Sequence, residues 1–147
     1  MAAAPQHSTN IRNTIADLIG GTITAITGGT AFIAGTNQKL KLYSGTVPAT
    51  ASTALSGNTV ISTITLVTWG AGTAGVATVS ASTADASAVG GTASFFRLYR
   101  TAGVDTADVI LQGTVATSAA DLIINNVVIA ASANVSLTGS NTYTAAP

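Results

Sequence analysis

The chain has 147 residues with 5 basic and 5 acidic side chains, so its formal net charge is zero and charged residues make up 7% of it, where about 25% is usual for a soluble domain. It holds 28 Ala, 25 Thr, 15 Gly and 13 Ser but no Glu and no Cys, a composition that suits one domain with an arm, excludes a disulfide framework or a zinc ribbon, and leaves a surface that invites association. No run of Lys or Arg supplies the electrostatic footprint that nucleic-acid binding requires.

The opening MAAAPQHSTN is small and polar, holds the only histidine, His7, and reads as a flexible end without the basic and apolar regions of a secretory signal. Ile11, Ile15, Leu18 and Ile19 then recur at i, i+4, i+7 and i+8, the spacing of one helical face. Ser8, Thr9 or Asn10 can cap this helix and Gly20-Gly21 stop it. A helix this short does not stand alone in water, so it is expected to dock, with a neighbouring subunit as a candidate. Residues 18–36, LIGGTITAITGGTAFIAGT, carry no charge and match a membrane span in length. Their Gly and Thr content is too high for insertion, and the expectation is a turn-rich arm or short strands buried against a neighbour. Residues 1–38 are therefore read as an arm with a short helix, and 39–147 as a β domain.

From Lys39 onward the period changes. KLKLY (39–43), TVISTITLV (59–67), GVATVSA (75–81), TASFFRLYR (92–100), DVILQGTVA (108–116), DLIINNVVIA (121–130) and NVSLTGSNTYT (134–144) are candidate strands rich in β-branched and alternating residues. Glycines, Pro48 and Asn58 punctuate them. Short strands without helical pattern between them predict an all-β, antiparallel sandwich of immunoglobulin-like or jelly-roll type.

Alternation places Leu40 and Leu42 inward and Lys39, Lys41 and Tyr43 outward. In FFRLY it places Phe96 and Leu98 inward and Arg97 and Tyr99 outward, which leaves Phe95 exposed unless a partner covers it. Ile110, Leu122/Ile124 and Val127/Ile129 extend the predicted core, with a register break at Asn125-Asn126, and Val67 and Trp69 close one end.

Chemical motifs are sparse. Gly70, Gly72 and Gly75 spell the dinucleotide-binding pattern, but a strand follows where the pyrophosphate needs a helix N-terminus, so a hairpin loop is expected. His7, in the flexible end, is a poor base for a hydrolytic triad. Asp17, Asp85, Asp105, Asp108 and Asp121 are the only carboxylates. Asp105 and Asp108 would be the candidates for a metal, but they are too few for a calcium loop, and no metal site is expected. Asn134-Val-Ser136 matches a glycosylation acceptor, a signal too short to carry weight alone. Trp69, Tyr43, Tyr99 and Tyr143 fall on separate strands and form no evident carbohydrate platform. No catalytic residue and no cofactor is expected.

The runs KLKLYSGTVPATASTALSG, GVATVSASTADASAVGGTASFFRLYRTAG and ADLIINNVVIAASANVSLTGSNTYTAAP, with Arg12-Asn13 in the helix before them, resemble small β-sandwich virion proteins of tailed bacteriophages and prophages. The resemblance spans residues 11–147, with the Gly/Thr segment 20–36 as an insertion. It implies a non-enzymatic structural protein on the virion, namely a capsid decoration (cement) protein bound to the major capsid protein and to copies of itself, for example as a trimer. A tail or baseplate adhesin that binds host glycan is the alternative. Neither nucleic acid nor membrane is an expected partner. The residues expected to make the interfaces are Ile11, Ile15, Leu18, Ile19, Phe32, Phe95 and Tyr99.

Overall fold

The structure, a computed structural model, describes residues 15, 38–71, 73–99, 109–137 and 141–144. The expected helix (Ile15 excepted), the Gly/Thr segment, Phe32, His7, Asp105 and Asp108 lie outside the described residues. What is described is all-β and mostly antiparallel: β1 (Gln38–Ser44), β2 (Thr59–Trp69), β3 (Val76–Thr83), β4 (Gly91–Thr92), β5 (Phe95–Tyr99), β6 (Val109–Ala116), β7 (Leu122–Ile123), β8 (Val128–Ile129) and β9 (Thr142–Thr144).

The chain divides into two compact units. In the larger, built from Asn37–Leu66 and Ser82–Leu137, the strands lie in the order β7-β6-β5-β1-β2, with β4-β8 as a separate two-stranded ribbon. The described part of the other holds the last residues of β2, most of β3, and β9, in the order β2-β3-β9.

The larger unit is organised around β1 and β5. Their antiparallel register sets Leu40 opposite Leu98 and Leu42 opposite Phe96 on one face, and Lys41 opposite Arg97 and Tyr43 opposite Phe95 on the other. On the first face Leu40, Leu42, Ile64, Leu66, Phe96 and Leu98 are all buried, as alternation predicts. The second face departs from that prediction, because all five residues of β5 are buried. Tyr43, Phe95, Arg97 and Tyr99, read from sequence as outward-facing or exposed, are between 0% and 3% exposed. The cause is the chain itself: residues 45–58, between β1 and β2, carry Val47 and Leu55 onto this face. Beyond this cover the lysines behave as expected, half-buried, with Lys39 Nζ donating to Thr65 Oγ1 at 2.7 Å and the Lys41 ammonium 5.1 Å from the centre of the Tyr99 ring.

Two expected long strands are each divided. The 92–100 run breaks at Ala93-Ser94, where Ala93 N–H donates to the Val127 carbonyl and Ser94 N–H to that of Tyr43, so the backbone changes partners between β4 and β5. The 121–130 run breaks at the predicted Asn125-Asn126, where the Asn126 side-chain oxygen accepts from Val128 N–H in an Asx turn. Its apolar residues are only half-buried or exposed. The β6-β7 pair is parallel, an exception to the expected antiparallel arrangement, and spans two residue pairs. Asp121 ties its short connection back by accepting from both Thr114 N–H and Thr114 Oγ1 at 2.8 Å.

Candidate functional site

The covered face of β1 and β5 holds a cluster of three buried aromatic side chains, Tyr43, Phe95 and Tyr99. Tyr43 and Phe95 stack with ring centres 5.0 Å apart and planes 11° off parallel, an arrangement that adds to simple area burial. The Tyr43 and Tyr99 hydroxyls hydrogen-bond at 2.7 Å. Burial, and then this bond, push the Tyr43 phenol well above its ordinary range, so it stays neutral.

Beside the rings, Arg97 donates from Nε to Gln112 Oε1 at 2.9 Å and from one terminal nitrogen to the Thr53 and Thr50 carbonyls at 2.7 and 3.4 Å. Gln112 completes the link by donating to the Pro48 carbonyl at 2.8 Å. At the other end of the loop Asn58 Nδ2 donates to the Ser44 and Thr46 carbonyls, and its Oδ1 accepts from Ser56 N–H. Ser94 Oγ donates to the Gly45 carbonyl at 2.6 Å. Gly45 holds φ of 93°, a region that side chains disfavour. A Cβ there would also meet Asn58 Nδ2 at 2.8 Å.

The carboxylates are engaged structurally. Asp85 Oδ2 accepts from Ser62 Oγ and Thr63 N–H, and Oδ1 from Ser87 N–H and Oγ. Burial acts to raise its pKa, and these four donors outweigh burial to hold it below the usual value. The two bonds from Thr114 likewise keep Asp121 low. Among the described residues no three His, Cys, Asp or Glu side chains gather as metal ligands would. Gly75 sits with Ala74 in the tight turn closed by reciprocal Thr73–Val76 main-chain bonds of 2.9 Å, and β3 follows directly, so the dinucleotide pattern has no helix here. Asn134 and Ser136 of the short acceptor motif are exposed.

Of the residues expected at interfaces, Phe95 and Tyr99 come together in the interior of the chain, Ile15 is half-buried, and Ile11, Leu18, Ile19 and Phe32 lie outside the described residues. Among the described residues, the large apolar side chains that face outward are Val89, Ile123 and Val128, each 60% to 63% exposed. Ile123 and Val128 sit on β7 and β8, strands that among the described residues are paired on one side only, and no ionisable residue occurs in 122–137. The alternation that sets Leu122/Ile124 and Val127/Ile129 inward, with a break at Asn125-Asn126, leaves Ile123 and Val128 on the outer face, as observed; what it does not state is that the run forms two separate short strands. The Tyr43–Phe95–Tyr99 cluster was also missed, because it depends on β1 pairing with β5, which no local pattern states. No helix among the described residues is long and apolar enough to cross a membrane. No protein-family model matches the chain, and comparison with curated proteins and solved structures gives no match either.

Proposed function

We propose that the chain is a non-enzymatic structural protein of a tailed-phage virion, a decoration protein that binds the major capsid protein on the head surface as a small oligomer. The observation that carries the reading is the scarcity of ionised groups available to water. Among the charged residues described, Arg97 is buried, Lys39, Lys41 and Asp85 are half-buried, and Asp121 alone is exposed, its carboxylate bound to Thr114. Exposed Ile123 and Val128 lie on strands without the charges that usually block edge pairing. Such a surface suits repeated apolar and main-chain contacts multiplied by symmetry. The finer fold we propose is a two-layer sandwich of immunoglobulin-like or jelly-roll type, to which an N-terminal helix adds the docking arm.

Deletion of residues 1–20 tests the arm. Co-sedimentation with heads of the encoding phage is expected to be lost while β-type circular dichroism is kept; unchanged occupancy overturns the arm's role. Glycan-array binding that disappears in Trp69→Ala would instead assign the protein to a tail or baseplate adhesin.

A further inference from the structure

Residues 45–58 bring Val47 and Leu55 onto the Tyr43–Phe95–Tyr99 cluster, which Val60 and Val109 of the sheet also line, yet among the described residues no main-chain hydrogen bond joins the segment to the sheet; Thr53 N–H to the Thr50 carbonyl is internal to it. The attachment is by side chains: Arg97, Gln112 and Ser94 provide the polar links from the sheet, Asn58 ties the two ends of the segment together through the Ser44 and Thr46 carbonyls, and Val47 and Leu55 pack on the cluster. We infer that this segment is a strap that opens independently of the sheet, latched by Arg97, and that its opening uncovers Tyr43, Phe95 and Tyr99 while β1 and β5 remain paired.

The physical reasons are two. Strands joined by ladder bonds open together, whereas a segment held by separate side-chain bonds is a smaller cooperative unit with its own lower opening free energy. The latch is also costly to keep shut. Arg97 is 1% exposed, and its acceptors among the described residues are an amide oxygen and two main-chain carbonyls, all neutral. A buried cation held by neutral acceptors forgoes much of its hydration. Lifting the strap returns the guanidinium to water, which offsets part of the cost of wetting the rings. The closed and open arrangements are thereby brought closer in free energy than the size of the aromatic cluster suggests.

The test combines hydroxyl-radical footprinting of Tyr43, Phe95 and Tyr99 with hydrogen exchange of the β1 and β5 amides, on the full chain and on Asn58→Ala and Gln112→Ala. Each variant removes strap bonds without altering the rings. Labelling of the rings should rise roughly two- to tenfold in Asn58→Ala, the effect of losing a neutral hydrogen bond or two, and by at least as much in Gln112→Ala, which also takes a partner from the Arg97 cation, with amide protection in β1 and β5 unchanged. Labelling that does not rise, or that rises only together with loss of that protection, overturns the inference. If Gln112→Ala does not fold, the unsubstituted protein still decides the matter: ring labelling must depend less steeply on denaturant than β1 exchange does, and equal slopes overturn the proposal.

Discussion

At the scale of single residues, the same side chain can be polar in type and internal in position. Arg97 and Tyr99 alternate with Phe96 and Leu98 as solvent-facing residues do, but each finds a partner inside: strap carbonyls and Gln112 for one, the Tyr43 hydroxyl for the other. Sequence alternation reports which residues share a face; it does not report that a fourteen-residue connection folds back over that face. Phe95, 0% exposed and stacked on Tyr43, should lose about 3–5 kcal/mol of stability on substitution by Ala, measured by urea unfolding with an unchanged slope. Gly113 has no room for a side chain, since a Cβ would lie 2.7 Å from Phe96 Cε1 and 2.8 Å from Asp121 Cβ. Gly113→Ala is expected to cost about 1–3 kcal/mol through overpacking. Asp85, whose carboxyl sits below its usual pKa, stabilises the fold above about pH 4, and that contribution fades as pH falls through the lowered folded-state value. Thermal melts between about pH 5 and pH 2 should therefore decline less steeply for Asp85→Asn than for the unsubstituted chain.

At the scale of elements, the long β-branched runs were readable because their length and punctuation are local properties: β1, β2, β3 and β6 fall close to the predicted spans. The short strands were not, because β4, β7 and β8 are two residues each and exist only through their partners. The change of partner at Ala93-Ser94 and the parallel return of β7 onto β6 are likewise tertiary events without a local signature. These short edges concern function most. Ile123→Lys and Val128→Lys place a charge on strands that are open on one side. Each should change unfolding free energy by no more than about 0.5 kcal/mol, as exposed substitutions do, while reducing self-association in sedimentation and occupancy on heads. A large loss of stability with unaltered association would show that these residues serve the fold instead.

At the scale of the whole molecule, the scarcity of charge was legible from composition alone, and the structure sharpens it by placing Arg97 inside and by tying down Asp85 and Asp121. A neutral chain experiences little repulsion from its own copies and little screening by salt. Binding to a capsid lattice through apolar and main-chain contacts should accordingly change less than about tenfold between 50 mM and 500 mM salt, unlike a phosphate-binding interaction. The surface on the other side of that contact cannot be read from this chain's residues, since complementarity belongs to the pair. The proposed capsid role is tested most directly by an image reconstruction, at a resolution that traces β-strands, of virions produced from the genome that encodes the chain. The account predicts symmetric copies of this fold seated on the outer head lattice, with their low-charge edges turned toward capsid subunits or one another; a virion without the chain, or with copies confined to the tail, would contradict it.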